Sequence, residues 1–273
     1  MKFWSYFAIV SARYRTLLQY RSAAFAGLVT QIFWGMIKIM VITAFFGVSS
    51  GEQPLSLAQV VSYIWLGQAL LGMLPWSTDQ ELMAQIREGG VAYELVRPLD
   101  LYWFWFCRTI ALRTATTTLR SIPMIIFAVW VLPLMGLSEW TLSPPADLLT
   151  LGVFLISLLS ALMLACGITM LMHVVLVWTL SGDGVNRLFP PVITAFSGML
   201  VPLPLFPDWL QPVLNWQPFR GLVDVPYRIY NGDIPVMHAF PDIVHQWGSA
   251  VFFILLGQYL LSRSIRRLVI QGG

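Results

Sequence analysis

Asp79, Glu81, Arg87, Glu88, Glu94, Arg97 and Asp100 crowd into one stretch, DQELMAQIREGGVAYELVRPLD, of a chain that is otherwise poor in charge. Gly89-Gly90 breaks this stretch and Pro98 closes it, and strongly apolar sequence flanks it on both sides. A chain re-entering a membrane needs only a short turn. A long charged insert between two spans therefore points to a docking surface for something soluble, and so to one part of a larger machine.

Other residue types that do chemistry are too scattered to act together. No GxxxxGK[ST] loop occurs, and Ser181-Gly182-Asp183-Gly184 reads as a turn because no Lys-Ser follows it. His173, His238 and His245 lie far apart without HExxH spacing. His173, inside an apolar span, reads either as a hydrogen-bonded interior residue or as a proton relay. Cys107 and Cys166 have neither metal nor disulfide spacing and read as small packing residues. No Asp or Glu, and so no carboxylate pair, falls within a span core, which argues against an ion-coupled carrier and against an intramembrane hydrolase. Lys38 is the one charge inside a span. Gln31, Trp34 and Lys38 share a helical face at i, i+3 and i+7. That face either lines a polar path suited to anionic or amphipathic cargo, or lets Lys38 snorkel to a span end roughly 12 Å away by helical rise.

The elements that carry these residues follow from composition. The chain has 273 residues, 58% hydrophobic and 11% charged, with mean hydropathy +0.73. Soluble domains carry about 25% charged residues, so the class is an all-α integral membrane protein. Spans of roughly 20 apolar residues are expected, and the ten-residue alternation of a β-barrel is absent. Six transmembrane helices are read at Ala23 to Phe46, Leu57 to Trp76, Ser121 to Leu137, Leu148 to Leu180, Phe189 to Val201 and Trp247 to Leu261.

With both termini cytoplasmic, the inner segments hold Lys2, Arg13, Arg15, Arg21, Arg87, Arg97, Arg108, Arg113, Arg120, Arg187, Arg263, Arg266 and Arg267. That is thirteen of the 16 basic residues, with only Arg220 and Arg228 outside. The net charge of +3 then reflects contact with inner-leaflet lipids, and no nucleic-acid motif accompanies it. No secretory signal is read at the start, because Arg13, Tyr14 and Arg15 follow a short apolar run.

Two further elements stand out. Residues 1–22 form a basic amphipathic helix, with Phe3, Phe7, Val10, Tyr14 and Leu17 at helical spacing. It reads as a membrane anchor or as a connecting helix that also touches a cytosolic partner. Residues 202–246 combine eight prolines with Trp209, Trp216, Phe219 and Tyr227. Helix breakers with interfacial aromatics suggest short re-entrant helices in the outer leaflet, the alternative being an ordinary surface loop.

This layout, over essentially the whole chain, resembles an ABC-2-type exporter permease, and more narrowly the viologen-exporter and daunorubicin-exporter-like branch. IREGGVAYELVRPLD resembles that branch's I-R-x-G-x-x-x-x-x-L-x-R-P loop. FSGMLVPLPLFPDWLQPVLNWQPF resembles its SG-x-x-x-P-x-x-x-F-P-x-W-L…P-F stretch, and VPYRIYNGDI its P-x-x-I-Y-x-G ending. The resemblance implies a six-span domain over 23–273 in the bacterial inner membrane, working with a second permease chain, identical or related. A separate ATP-binding subunit would hold ATP and Mg, with no cofactor or metal on this chain and no catalytic residue.

By the same resemblance, the loop 79–100 is the site of coupling to the ATPase. Asp79 to Glu88 would be the coupling helix and Gly89-Gly90 its stop. Asp79, Glu81, Gln85, Ile86, Arg87, Glu88, Gly89 and Arg97 would be its contacts. Arg108, Arg113 and Arg120 would precede span three and meet anionic head groups. Gln31, Trp34, Lys38 and His173 are the candidate substrate path. Pro202, Pro204, Phe206, Pro207 and Trp209 would belong to the outer gate. A lipid-acting membrane enzyme and a passive channel or scaffold are the competing readings, the first lacking a nucleophile-base pair and the second a need for the insert. Met36, Met40, Met73, Met163, Met170 and Met172 could make an adaptable cargo surface or simply fill packing gaps.

Overall fold

Long apolar runs without breakers become long helices because lipid offers no partner for backbone N–H and C=O groups. The structure, a computed structural model, describes residues 2–19, 21–48, 53–179 and 183–265. The Ser181-Gly182 turn and the terminal Arg266 and Arg267 lie outside the described residues. All regular elements among the described residues are helical. The N-terminal helix α1 spans Lys2–Leu17, and α2 spans Arg21–Val48. Then come α3 (Leu57–Ala69), α4 (Gln80–Arg87) and α5 (Val91–Leu95). Helix α6 (Leu101–Ile126) continues through a five-residue π-helical stretch, Phe127–Val131, into the short α7 (Leu132–Leu134). After a loop follow α8 (Leu148–Thr179), α9 (Asp183–Phe196), α10 (Gln211–Trp216), α11 (Asp224–Tyr230) and α12 (Phe240–Ile265).

Among the described residues, four helices are long and apolar enough to cross a membrane: Ala24–Val48, Leu101–Leu134, Leu148–Thr179 and Phe240–Ile265. The other two expected spans are short helices. Helix α3 has 13 residues, about 20 Å by helical rise, against a hydrocarbon core of about 30 Å. It gives way at Leu70 to a 3-10 turn, where Gly72 lets the chain touch α6: a Cβ there would lie 3.0 Å from the Thr117 backbone nitrogen. Helix α9 has 14 residues and begins at Asp183, upstream of the expected Phe189; it ends before Gly198, whose φ of 89° turns the chain.

The third span also starts far earlier than expected, at Leu101 instead of Ser121. Within its polar half the hydroxyls of Thr109, Thr114, Thr116, Thr117 and Thr118 are satisfied inside the helix, each bonding back to the carbonyl four residues earlier. Proline at 123 then withholds one N–H, and the π-helical stretch follows within the next turn.

Hydrogen bonds between distant residues sort the molecule into two ends. At one end, Trp65 Nε1 donates to the Trp140 carbonyl at 2.7 Å, and Gln59 and Asn231 exchange bonds of 3.3 and 2.9 Å. At the other, the insert meets α1, α6, α8 and α9. Each end has its own apolar cluster: Trp65, Ile168 and the edge-packed rings of Tyr63 and Tyr227 in one, and Leu82, Ile86, Trp105 and Met170 in the other.

Candidate functional site

The insert is built around Asp79. Its Oδ1 accepts the N–H of Glu81 at 3.0 Å and of Leu82 at 3.5 Å, capping α4. Its own N–H donates to His173 Nε2 on α8 at 3.0 Å. An accepting Nε2 places the ring proton on Nδ1, and that atom is buried without a partner. At the far end of α4, Glu88 caps the helix and Gly89 takes φ 75°, a left-handed turn that favours glycine. Leu82, Met83 and Ile86 bury the inner face of α4.

Two arginines from other helices grip this unit. Arg13 of α1 reaches Asp79 at 3.4 Å and also pairs with Glu81. Arg108 of α6 lies 3.6 Å from Asp79, 3.2 Å from Glu81 and 3.3 Å from Glu94. It also donates to Gln85 Oε1 at 3.2 Å, while Glu94 Oε2 accepts from Trp105 Nε1 at 2.6 Å. Arg113, one turn and more along α6, donates to the carbonyls of Leu74 and Ser77 at 2.6 and 2.7 Å and to Thr169 Oγ1 at 3.1 Å. Asn186 of α9 exchanges bonds with Thr78, 3.2 Å each way. Removing one member of a buried pair strands the other, so such a network fixes geometry more than it adds net stability.

The expected contact residues therefore divide. Asp79 and Ile86 are buried, Gln85 is half-buried, and Glu81 is drawn into the arginine pairs. Arg87, Glu88, Gly89 and Arg97 are exposed, Arg97 with its guanidinium 5.2 Å from the Phe104 ring centroid. Tyr93 and Val96 are more than four-fifths exposed beside them. Arg108 and Arg113 turn inward to protein partners instead of standing before a span where head groups would reach them. Arg120 packs its guanidinium against Gly27 of α2.

The four residues of the expected path are not brought together. His173 is at the insert. Gln31 is buried with neither amide atom bonded, Trp34 is half-exposed, and Lys38 Nζ donates to the Met199 carbonyl at 3.2 Å. Trp34 and Lys38 line a pocket of about 230 Å³ with residues 198–202. Beyond it, Pro202 opens a 3-10 turn, Leu203–Leu205, and Pro207 a second, Asp208–Leu210. Gln211 staples the first turn, including Pro204, by donating to the carbonyls of Leu203 and Phe206, both at 2.9 Å. Trp209 is exposed at its tip.

One acid escaped the sequence reading. Asp224, fully buried, accepts from Tyr63 OH at 3.5 Å and the Leu203 N–H at 3.3 Å, and lies 3.3 Å from Arg228. Burial pushes its carboxyl above the ordinary carboxylate range, against the pull of Arg228 and Arg220. Arg228 also meets Asp233 at 2.5 Å, and Arg220 meets Asp242 at 2.8 Å. Among the described residues no group of three or more His, Cys, Asp or Glu could hold a metal ion.

Comparison with curated proteins and with solved structures returned no significant match. A family model described as ABC-2 family transporter protein matches residues 36–272, which takes in the insert, Lys38, the stapled turns and α12. With spanning helices on either side of a rigidly held polar insert, the chain belongs to the ABC-2 transporter family and is a multi-pass membrane component of it.

Proposed function

We propose that the chain is the transmembrane permease subunit of an ATP-binding cassette exporter of the viologen-exporter and daunorubicin-exporter-like branch. It moves hydrophobic or amphipathic cargo out of the cytoplasm or inner leaflet. A separate subunit binds ATP and Mg, and a second permease chain, identical or related, completes the pathway. Both termini and the insert face the cytoplasm of a bacterial inner membrane, in keeping with the basic residues of the sequence.

The observation that carries this reading is the two-sidedness of α4. Its inner face is fixed to α8 through His173 and to α1 and α6 through Arg13 and Arg108. Its C-terminal turn leaves Arg87, Glu88 and Gly89 exposed. A helix held rigidly on one side and open on the other suits the passing of a push from a docked subunit to the spans. The turns at Pro202 and Pro207, stapled by Gln211, suit an outer gate.

Purification with native partners tests the reading. Recovery of a stoichiometric ATPase carrying a Walker motif is the expected result. Reproducible isolation without one would overturn it.

A further inference from the structure

Lys38 lies well inside α2, where a charge without compensation is expensive. Its Nζ donates to the Met199 carbonyl at 3.2 Å, and among the described residues it has no carboxylate partner. An ammonium carries three donors, so one carbonyl leaves two of them unmatched. Lys38 borders the pocket enclosed by α2, α3 and residues 198–202, whose other walls include Ile37, Ile42, Ile64 and Pro202. Asp224, which accepts from the pocket-lining Tyr63, already answers Arg228 and the Leu203 N–H as well.

The chemistry of such a pocket selects by charge. An anion would complete the hydrogen bonding of the ammonium with charge-assisted bonds, whereas a cation would meet like charge in an apolar wall. Size narrows the choice further. At about 30 Å³ per water, a volume of about 230 Å³ takes roughly eight water-sized groups. That is room for a head group and its first carbons. The rest of a longer molecule would lie along Trp34 and Val41, which line the pocket and are 52% and 62% exposed on α2.

We propose that this pocket binds the anionic head of an amphiphile, a carboxylate, sulfate or phosphate on an apolar tail, with Lys38 as the charge that selects it. Binding also has a mechanical consequence. Met199 follows the C-terminus of α9, where a cation is favoured by the helix dipole, and it sits beside the left-handed Gly198 at the joint leading to Pro202. An anion that draws Lys38 off the Met199 carbonyl loosens that joint. Only the identification of the amphiphile as cargo rests on the exporter reading; the site itself does not.

The test uses the full chain in nanodiscs of zwitterionic lipid and two photoreactive long-chain probes of equal length, one a carboxylate and one a trimethylammonium. The carboxylate is expected to label residues 34–42 and 198–202 at least about fivefold over the ammonium, a preference of about 1 kcal/mol. Lys38→Gln is expected to reduce its labelling to the level of the cation, and Lys38→Arg to retain it. Added phosphatidylglycerol distinguishes the source: suppression assigns the site to bilayer lipid, and persistence to a free amphiphile, either being an anionic occupant. Equal labelling by the two probes, or wild-type labelling of Lys38→Gln, would overturn the proposal. Should Lys38→Gln fail to insert, the probe comparison on the wild type and Lys38→Arg decides. Because labelling needs no ATPase, its failure leaves the co-purification result standing, and the reverse holds too.

Discussion

The imidazole Nε2 of His173 accepts the backbone N–H of Asp79 at 3.0 Å, with both residues almost fully buried. A spanning helix is thereby bonded to the residue that caps α4, so a displacement of the insert reaches α8 through the His173 ring alone. His173→Ala leaves a buried N–H without an acceptor, at a cost of about 1–3 kcal/mol. His173→Gln offers an amide oxygen in its place. Transport per ATP hydrolysed is expected to fall in the alanine variant and recover in the glutamine variant. An equal loss in both would show that the ring serves only to fill space.

Arg13 and Arg108 touch the same two acids, yet they should not be equivalent. The pair between Arg13 and Glu81 is half in solvent, Glu81 being 51% exposed, while Arg108 and Glu94 are 8% and 5% exposed. Exposed pairs contribute about 0.2–1 kcal/mol, whereas stranding one partner of a buried pair costs about 3–5 kcal/mol. Thermal unfolding in nanodiscs is therefore expected to show a small loss for Arg13→Ala and a severe one for Arg108→Ala. Comparable losses would mean that α1 is held to the insert more tightly than its exposure implies.

These arginines also mark where the sequence stopped being readable. Residues 148–179 form a helix almost as expected because an unbroken apolar run leaves no alternative in lipid. A helix bounded by Asp79 and Gly89 was implied by the family resemblance, and the structure has α4 there, capped by Asp79 and turned at Gly89. Arg108 and Arg113 were not legible: their charges count toward topology wherever they point, and what buries them is a set of partners far away in sequence, Glu94, Leu74, Ser77 and Thr169. Their charges argued for a loop before the third span, whereas the helix starts at Leu101 and carries both arginines inward. His173 was read from its place inside an apolar span, which does not reveal that the Asp79 N–H lies opposite it. Asp224 lay outside every span, so a search of span cores for acids passed over it.

Arg87 and Glu88 stand on the exposed last turn of α4, away from the arginine grip on Asp79 and Glu81. Replacing both with alanine is expected to leave the buried pairs of Arg108 with Asp79 and Glu94 in place. Membrane insertion should be unchanged. In the assembled transporter, ATP turnover should continue while transport is lost. Normal transport by the double variant would remove this turn from the docking surface and shift attention to Tyr93 and Val96, the exposed apolar residues beside it.

Asp224 predicts a pH dependence of the proline-rich end. Burial raises its carboxyl above the ordinary range despite Arg228 and Arg220, so the folded chain holds this proton more tightly than the unfolded one. The stability it contributes is complete below the unfolded value of about 3.9. It fades as pH climbs through the raised folded value, because there the unfolded state gives up its proton more readily. Asparagine cannot titrate, yet keeps an acceptor for Tyr63 OH and the Leu203 N–H. Asp224→Asn is therefore expected to flatten the decline of melting temperature with pH above about 4. Asp224→Ala strands both donors and takes one carboxylate from Arg228, which keeps Asp233. It should melt below Asp224→Asn at every pH, by about 1–3 kcal/mol of lost stability. If Asp224→Asn retains the wild-type slope, the titration belongs to another group and Asp224 serves the joint only as a hydrogen-bond acceptor.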